Sequence, residues 1–144
     1  VDVVSKSKNG NFLLDIGPAA NGIIPQIMQK GLRVGGRWIK EREESIYGTR
    51  FWQTTNGKGN FRYPISDSAF YIHVLNAPSA DGSCLVPDKT PFLKGDSIVV
   101  LGGKSSGTVV LATRNTNGSV ALSLDSTTVK ADRYVWTFKV INGS

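Results

Sequence analysis

Hydrolysis by two carboxylates needs an acid and a base or nucleophile on either side of the scissile bond, roughly 5–9 Å apart. The only glutamates of this chain, Glu41, Glu43 and Glu44, stand side by side and read as a solvated charge cluster at a helix end. Asp67, Asp81, Asp88 and Asp96 neighbour Gly, Ser or Lys and read as turn residues. Asp15 differs, because it interrupts the apolar run Phe12-Leu13-Leu14-Asp15-Ile16 and is costly to bury without partners. It reads as a satisfied buried carboxylate that holds a neighbouring loop. His73, the sole histidine, lies in Phe70-Tyr71-Ile72-His73-Val74-Leu75 with no second His and no Cys at ligand spacing. A metal site or a Ser/His/Asp triad needs more than that, so His73 reads as a surface strand residue. Leu101–Gly107 is glycine-rich but lacks P-loop spacing and a following helix, and reads as a hairpin turn. No catalytic residue, metal ligand or cofactor site is therefore expected within this chain.

Trp52, Tyr71, Tyr134 and Trp136 are candidates for stacking on a sugar ring, yet large aromatics in a small all-β domain more often fill the core. The single cysteine, Cys84, cannot form a disulfide within the chain and is either buried and free or bonded elsewhere. Asn117-Gly118-Ser119 and Asn142-Gly143-Ser144 are N-glycosylation sequons, so Asn117 and Asn142 are candidate acceptors in a secreted, extracellular protein. The net charge of +6 divides evenly along the chain, +3 over residues 1–50 and +3 over 51–144. With no basic run interleaved with aromatics, no nucleic-acid partner is expected. No apolar run approaches the roughly 20 residues of a membrane helix, so no membrane partner is expected either.

These side chains must be carried by two kinds of element. The run 12–16 lies between Asn9-Gly10-Asn11 and Gly17-Pro18 and reads as a buried strand. From Pro25 to Glu44, Met28, Leu32 and Ile39, with Ile27 and Trp38 beside them, recur at helical spacing. Pro25 suits a first turn, and Lys40 and Arg42 suit a last one. Gly31, Gly35 and Gly36 each cost about 1 kcal/mol in a helix interior, which close packing on a neighbouring element would repay. From Phe51 onward the pattern changes to short strands: 69–75, 97–101, 108–113, 119–124 and 133–141, punctuated by Asn56-Gly57, Asp81-Gly82, Gly102-Gly103 and Asn117-Gly118. That is the signature of an all-β antiparallel β-sandwich.

One strand and one amphipathic helix make only half of a parallel unit, which needs neighbouring strands and helices on both faces. Residues 1–46 cannot close a core alone and must dock onto protein that this chain lacks. The opening Val1-Asp2-Val3-Val4, without Met and inside an apolar pattern, reads as a cut.

Val1–Lys6, Asn9-Gly10-Asn11-Phe12-Leu13-Leu14-Asp15-Ile16-Gly17-Pro18, Asn21-Gly22, Pro25 and the stretch Glu44–Trp52 closely resemble family 29 glycoside hydrolases, the α-L-fucosidases. The likeness covers about the first 52 residues. It departs at Asp15, where the family commonly has Asn, and at an apparent Ser-Lys insertion near Ser7-Lys8. The resemblance implies an α/β barrel remnant over residues 1–48, in which Val1–Lys6 is a helix tail, 12–16 the last strand of a TIM-like barrel and 25–44 its last helix. The sandwich follows over 49–144. It implies retaining hydrolysis of terminal α-L-fucosyl residues from a fucosylated glycan, with both catalytic carboxylates upstream, on an N-terminal catalytic barrel portion that is this chain's partner. The alternative reading is a stand-alone carbohydrate-binding or structural β-sandwich module.

Overall fold

A computed structural model describes residues 10–52, 57 and 59–143 of the chain. The expected helix tail over Val1–Lys6 and the insertion near Ser7-Lys8 lie outside the described residues.

The elements run α1 (Gln26–Lys40), a 3-10 turn (Glu43–Ser45), β1 (Arg50–Phe51), β2 (Phe61–Arg62), β3 (Pro64–Ile65), β4 (Phe70–Val74), β5 (Ser83–Val86), β6 (Ser97–Val100), β7 (Val109–Arg114), β8 (Val120–Ser123), α2 (Ser126–Ala131) and β9 (Trp136–Ile141). All strand pairings are antiparallel, in the order β1-β3-β4-β9-β6-β7-β8-β5, with β2 also on β4. Strand β7 turns the corner between layers. Its start pairs with β6 (Val109↔Val99, Val110↔Ile98) and its continuation with β8 (Leu111↔Ser123 through Arg114↔Val120).

Alternation then decides what fills the space between the layers. Phe70, Ile72 and Val74 of β4 face the same core as Trp136, Phe138 and Val140 of β9, Ile98 and Val100 of β6, and Val120 and Leu122 of β8. Cys84, a buried free thiol, belongs to this core from β5, and burial pushes its pKa up to about 11. Asp88, expected in an open turn, is buried, and Tyr63 donates its phenolic hydrogen to Asp88 Oδ2 at 2.8 Å.

His73 is not a surface residue. It is 1% exposed, because β4 is covered on its outer face as well as its inner one. Arg42, Ser45 and Ile46 are buried, and Glu44 accepts from Tyr71 Oη on β4 (3.3 Å) and from Lys139 Nζ on β9 (2.6 Å). His73 Nδ1 shares a hydrogen bond with Thr137 Oγ1, its cross-strand partner, at 3.0 Å, and the ring also bonds the Ser45 backbone. Burial pushes its pKa down to about 3, opposed by the Ser45 bond.

Residues 12–16, expected as a strand, form none. No second strand lies beside them among the described residues, and a strand exists only by bonding its N–H and C=O groups to a neighbour. Asp15 is correspondingly exposed, its Oδ1 accepting from the next backbone N–H, Ile16 N, at 2.8 Å, so it holds no loop. Besides the two-residue strands β1, β2 and β3, two longer elements went unread in the sequence. One is β5, four residues of buried-exposed alternation after Asp81-Gly82. The other is α2, whose N-cap Asp125 accepts from Thr128 N at 2.5 Å.

Two measurements test this packing. Phe138→Ala, which empties the centre of the core, is expected to cost about 3–5 kcal/mol in denaturant unfolding. A histidine whose folded pKa lies below its unfolded value contributes stability that is present above pH 6.5 and lost as pH falls toward 3. Unfolding free energy is therefore expected to drop by roughly 2–3 kcal/mol between pH 7 and pH 4 on account of His73, and His73→Gln to flatten that slope.

Candidate functional site

Among the described residues the chemistry-bearing side chains do not converge on one cleft, whereas the apolar ones of the N-terminal segment gather on one surface. At 100° per residue, Val34, Ile27, Trp38, Met28, Ile39 and Leu32 fill an arc of roughly 160° on α1, with Gly31 and Gly35 at its middle. The remaining arc holds Gln26, Gln29, Lys30, Arg33, Arg37 and Lys40. No residue of α1 is buried, and Ile27 is 81% exposed. A Cβ added at Gly31 or Gly35 would meet nothing within 4 Å among the described residues, so the expected close packing of these glycines is not made by any of them.

Alongside this arc runs the segment of residues 10–18, with Leu13 92% exposed. Phe12, Leu14, Met28 and Leu32 line a cavity of about 690 Å³ together with Leu75 and Tyr134 of the β domain. The surface is continuous, apolar and open.

The helix end is held by one cation. Arg42 is 2% exposed, and its Nη2 donates to Asp132 Oδ2 while its Nη1 donates to Glu41 Oε2 (3.2 Å) and Trp38 O (3.3 Å). Its guanidinium lies 4.7 Å from the centre of the Trp38 ring, within cation–π range. Gly102 lets the β6–β7 turn approach: it sits at φ +83°, and a Cβ there would fall 2.7 Å from Arg42 Cγ. The neighbouring Gly103 N donates to Glu41 Oε2 at 3.2 Å. Two of the three glutamates expected as a solvated cluster, Glu41 and Glu44, thus tie the segment after α1 to the β domain.

The aromatic candidates divide. Tyr71 is buried on the covered outer face of β4 and Trp136 in the core, where its Nε1 donates to the Val129 carbonyl at 3.1 Å. Trp52 is half-buried, edge-on to Tyr63 and Phe70, and Tyr134 alone of the four is exposed. Asn117 and Asn142 are both exposed, far apart in the sequence, with Asn117 Oδ1 accepting from Ser119 N (3.0 Å) and Ser119 Oγ (2.7 Å). Among the described residues, no three His, Cys, Asp or Glu side chains are grouped so as to hold a metal ion.

The family model described as alpha-L-fucosidase matches residues 1–44, the stretch that carries the apolar arc. The chain is 31% identical over 125 residues to an alpha-L-fucosidase of Dictyostelium discoideum, covering 85% of this chain and 27% of that protein. It is 29% identical over 142 residues to tissue alpha-L-fucosidase of Mus musculus, covering 96% and 30%. This chain belongs to the family 29 α-L-fucosidases.

Its fold is likewise that of solved fucosidases. The Thermotoga maritima alpha-fucosidase in complex with a mechanism-based inhibitor superposes with a TM-score of 0.80 at 20% identity, over 97% of this chain and 32% of that one. Alpha-L-fucosidase isoenzyme 1 from Paenibacillus thiaminolyticus does so with 0.77 at 24% identity, over 96% and 32%. This fucosidase-family chain thus spans about a third or less of the length of its relatives.

Removing the anchor tests its weight. Arg42→Met leaves Asp132 and Glu41 without their cation and is expected to lower unfolding free energy by about 3–5 kcal/mol, while Arg42→Met/Asp132→Asn should recover part of the loss. Denaturant titration of the four members of the cycle measures both.

Proposed function

We propose that the chain is the C-terminal portion of a retaining α-L-fucosidase that removes terminal α-L-fucosyl residues from glycans, with both catalytic carboxylates on protein upstream. The observation that carries this reading is the arc of α1. A helix whose apolar side is left uncovered by the described residues, with two glycines at its middle that none of them approaches, is built to receive another surface. In this reading residues 1–48 are the end of the catalytic (β/α) barrel. Residues 12–16 become a strand by bonding to a strand of the missing portion, and α1 packs its apolar arc against that barrel. Residues 49–144 form the β-sandwich domain, and Arg42 joins the two. The shielded Trp38 Nε1, which has no acceptor among the described residues, supports the reading, because a docked backbone carbonyl would satisfy it.

The sandwich buttresses the barrel. A free-standing carbohydrate-binding module is disfavoured by the burial of Tyr71 and Trp136. The enzyme is secreted and extracellular, and Asn117 and Asn142 carry glycans there.

Three results test the proposal. The 144-residue chain alone should leave an aryl α-L-fucoside unhydrolysed, and turnover by it would place the catalytic carboxylates here. Gly31→Ala/Gly35→Ala should raise the helicity of the isolated chain, since Ala is favoured by about 1 kcal/mol per site. The same pair should lower the thermal midpoint of the complete enzyme, where the two methyl groups meet the docked surface; a raised midpoint in both would mean that nothing docks there. Deglycosylation of secreted enzyme should reduce its mass by the glycans on Asn117 and Asn142, and an unchanged mass would remove the secretory assignment of those two sites.

A further inference from the structure

The polar arc of α1 carries Lys30, Arg33, Arg37 and Lys40, all exposed, and the helix has no acidic residue. By helical geometry these four cations fall within roughly 80° of arc and span about 15 Å along the axis. The even division of charge along the chain conceals this stripe, which exists only once the helix is wound. Among the described residues none of the four belongs to an ion pair. Arg33 Nη2 donates to Gln29 Oε1 at 3.3 Å, a neutral partner that leaves its charge uncompensated. The nearest carboxylates in sequence are engaged elsewhere in part: Glu41 with Arg42 and Gly103 N, Glu44 with Lys139 and Tyr71, which leaves the exposed Glu43 at the far end of the stripe. Like charges at three- and four-residue spacing repel one another and weaken a helix, so the stripe exists at the expense of the element that displays it.

We infer that the stripe is a docking surface for a sulfated polysaccharide, which would hold the enzyme on anionic glycan. A linear polyanion matches a straight row of cations, and the fork of Arg and the point charge of Lys both suit sulfate oxygens. Single-stranded nucleic acid is a poorer fit, because no aromatic side chain stands on this arc to stack with bases. A membrane surface is also a poorer fit: an interfacial helix buries its apolar side in lipid, and here that side is committed to protein, an argument that rests on the placement proposed above.

The test uses the complete enzyme and immobilised heparin as probe. At about 0.15 M salt the enzyme is expected to be retained and then released as rising salt screens the contact. Lys30→Gln/Arg33→Gln/Arg37→Gln/Lys40→Gln is expected to bind at least about tenfold more weakly, with the thermal midpoint not lowered and turnover of a small aryl α-L-fucoside unchanged. Should that variant fail to fold, Arg33→Gln/Arg37→Gln takes its place, with a loss of roughly threefold or more expected for half the charge. Equal retention of variant and parent would overturn the inference. Binding to anionic lipid vesicles or to a DNA duplex as tight as to heparin would overturn the choice of partner. Failure of the parent enzyme to turn over the fucoside would sink the proposed function instead and leave the heparin result standing.

Discussion

Arg42 is the charge around which the rest of the structure is arranged. A buried guanidinium survives only where carboxylates and acceptors surround it, and here they come from two places: Glu41 and the Trp38 carbonyl at the helix end, and Asp132 just after α2. Because Gly102 has no side chain, the β6–β7 turn closes over the same cation. With the helix end fixed in this way, the next turn brings Glu44 to Lys139 and Tyr71 and Ser45 to His73. The outer face of β4 and β9 is thereby covered, and a histidine that would otherwise meet water is sealed as a neutral base.

The same anchor leaves α1 itself in an unusual position. Isolated helices of about 15 residues are marginal even with good helix formers, and α1 contains three glycines and buries none of its residues. Within a globular domain such a helix would turn its apolar arc inward. Here the arc, the segment 10–18 and the exposed Tyr134 form one open apolar surface, while the cations line the opposite side. The two faces make separate demands, one for apolar protein and one for negative charge.

Five of the nine strands were legible because each is a short run of strand-forming residues between turn residues, with a clear period of two in the last, so residues 70–74, 97–100, 109–114, 120–123 and 136–141 lie inside the expected spans but for Arg114. Strands β1, β2 and β3, of two residues each, and β5, of four, were missed because so few residues offer too short an alternation, and α2 because its signal was a lone N-cap aspartate before a run of Ser and Thr. His73 was misplaced for a different reason. Alternation assigns it to the outer face of β4, and nothing local reveals that Glu43–Ile46 will fold over that face. Asp88 was misread likewise, since its partner Tyr63 lies 25 positions away in sequence.

By itself the sequence determined the periodicities: the amphipathic helix, the alternating strands, the glycine turns and the family motifs of the first 52 residues. These are local, because the geometry of a helix or strand repeats within a few residues and leaves its mark on adjacent positions. Only the tertiary structure decided that Arg42 is buried with Asp132, 90 positions away, that His73 is enclosed and that residues 12–16 form no strand here. A buried charge, a covered face and a ladder each need a partner distant in the chain, or outside it, and no local pattern encodes where that partner will be.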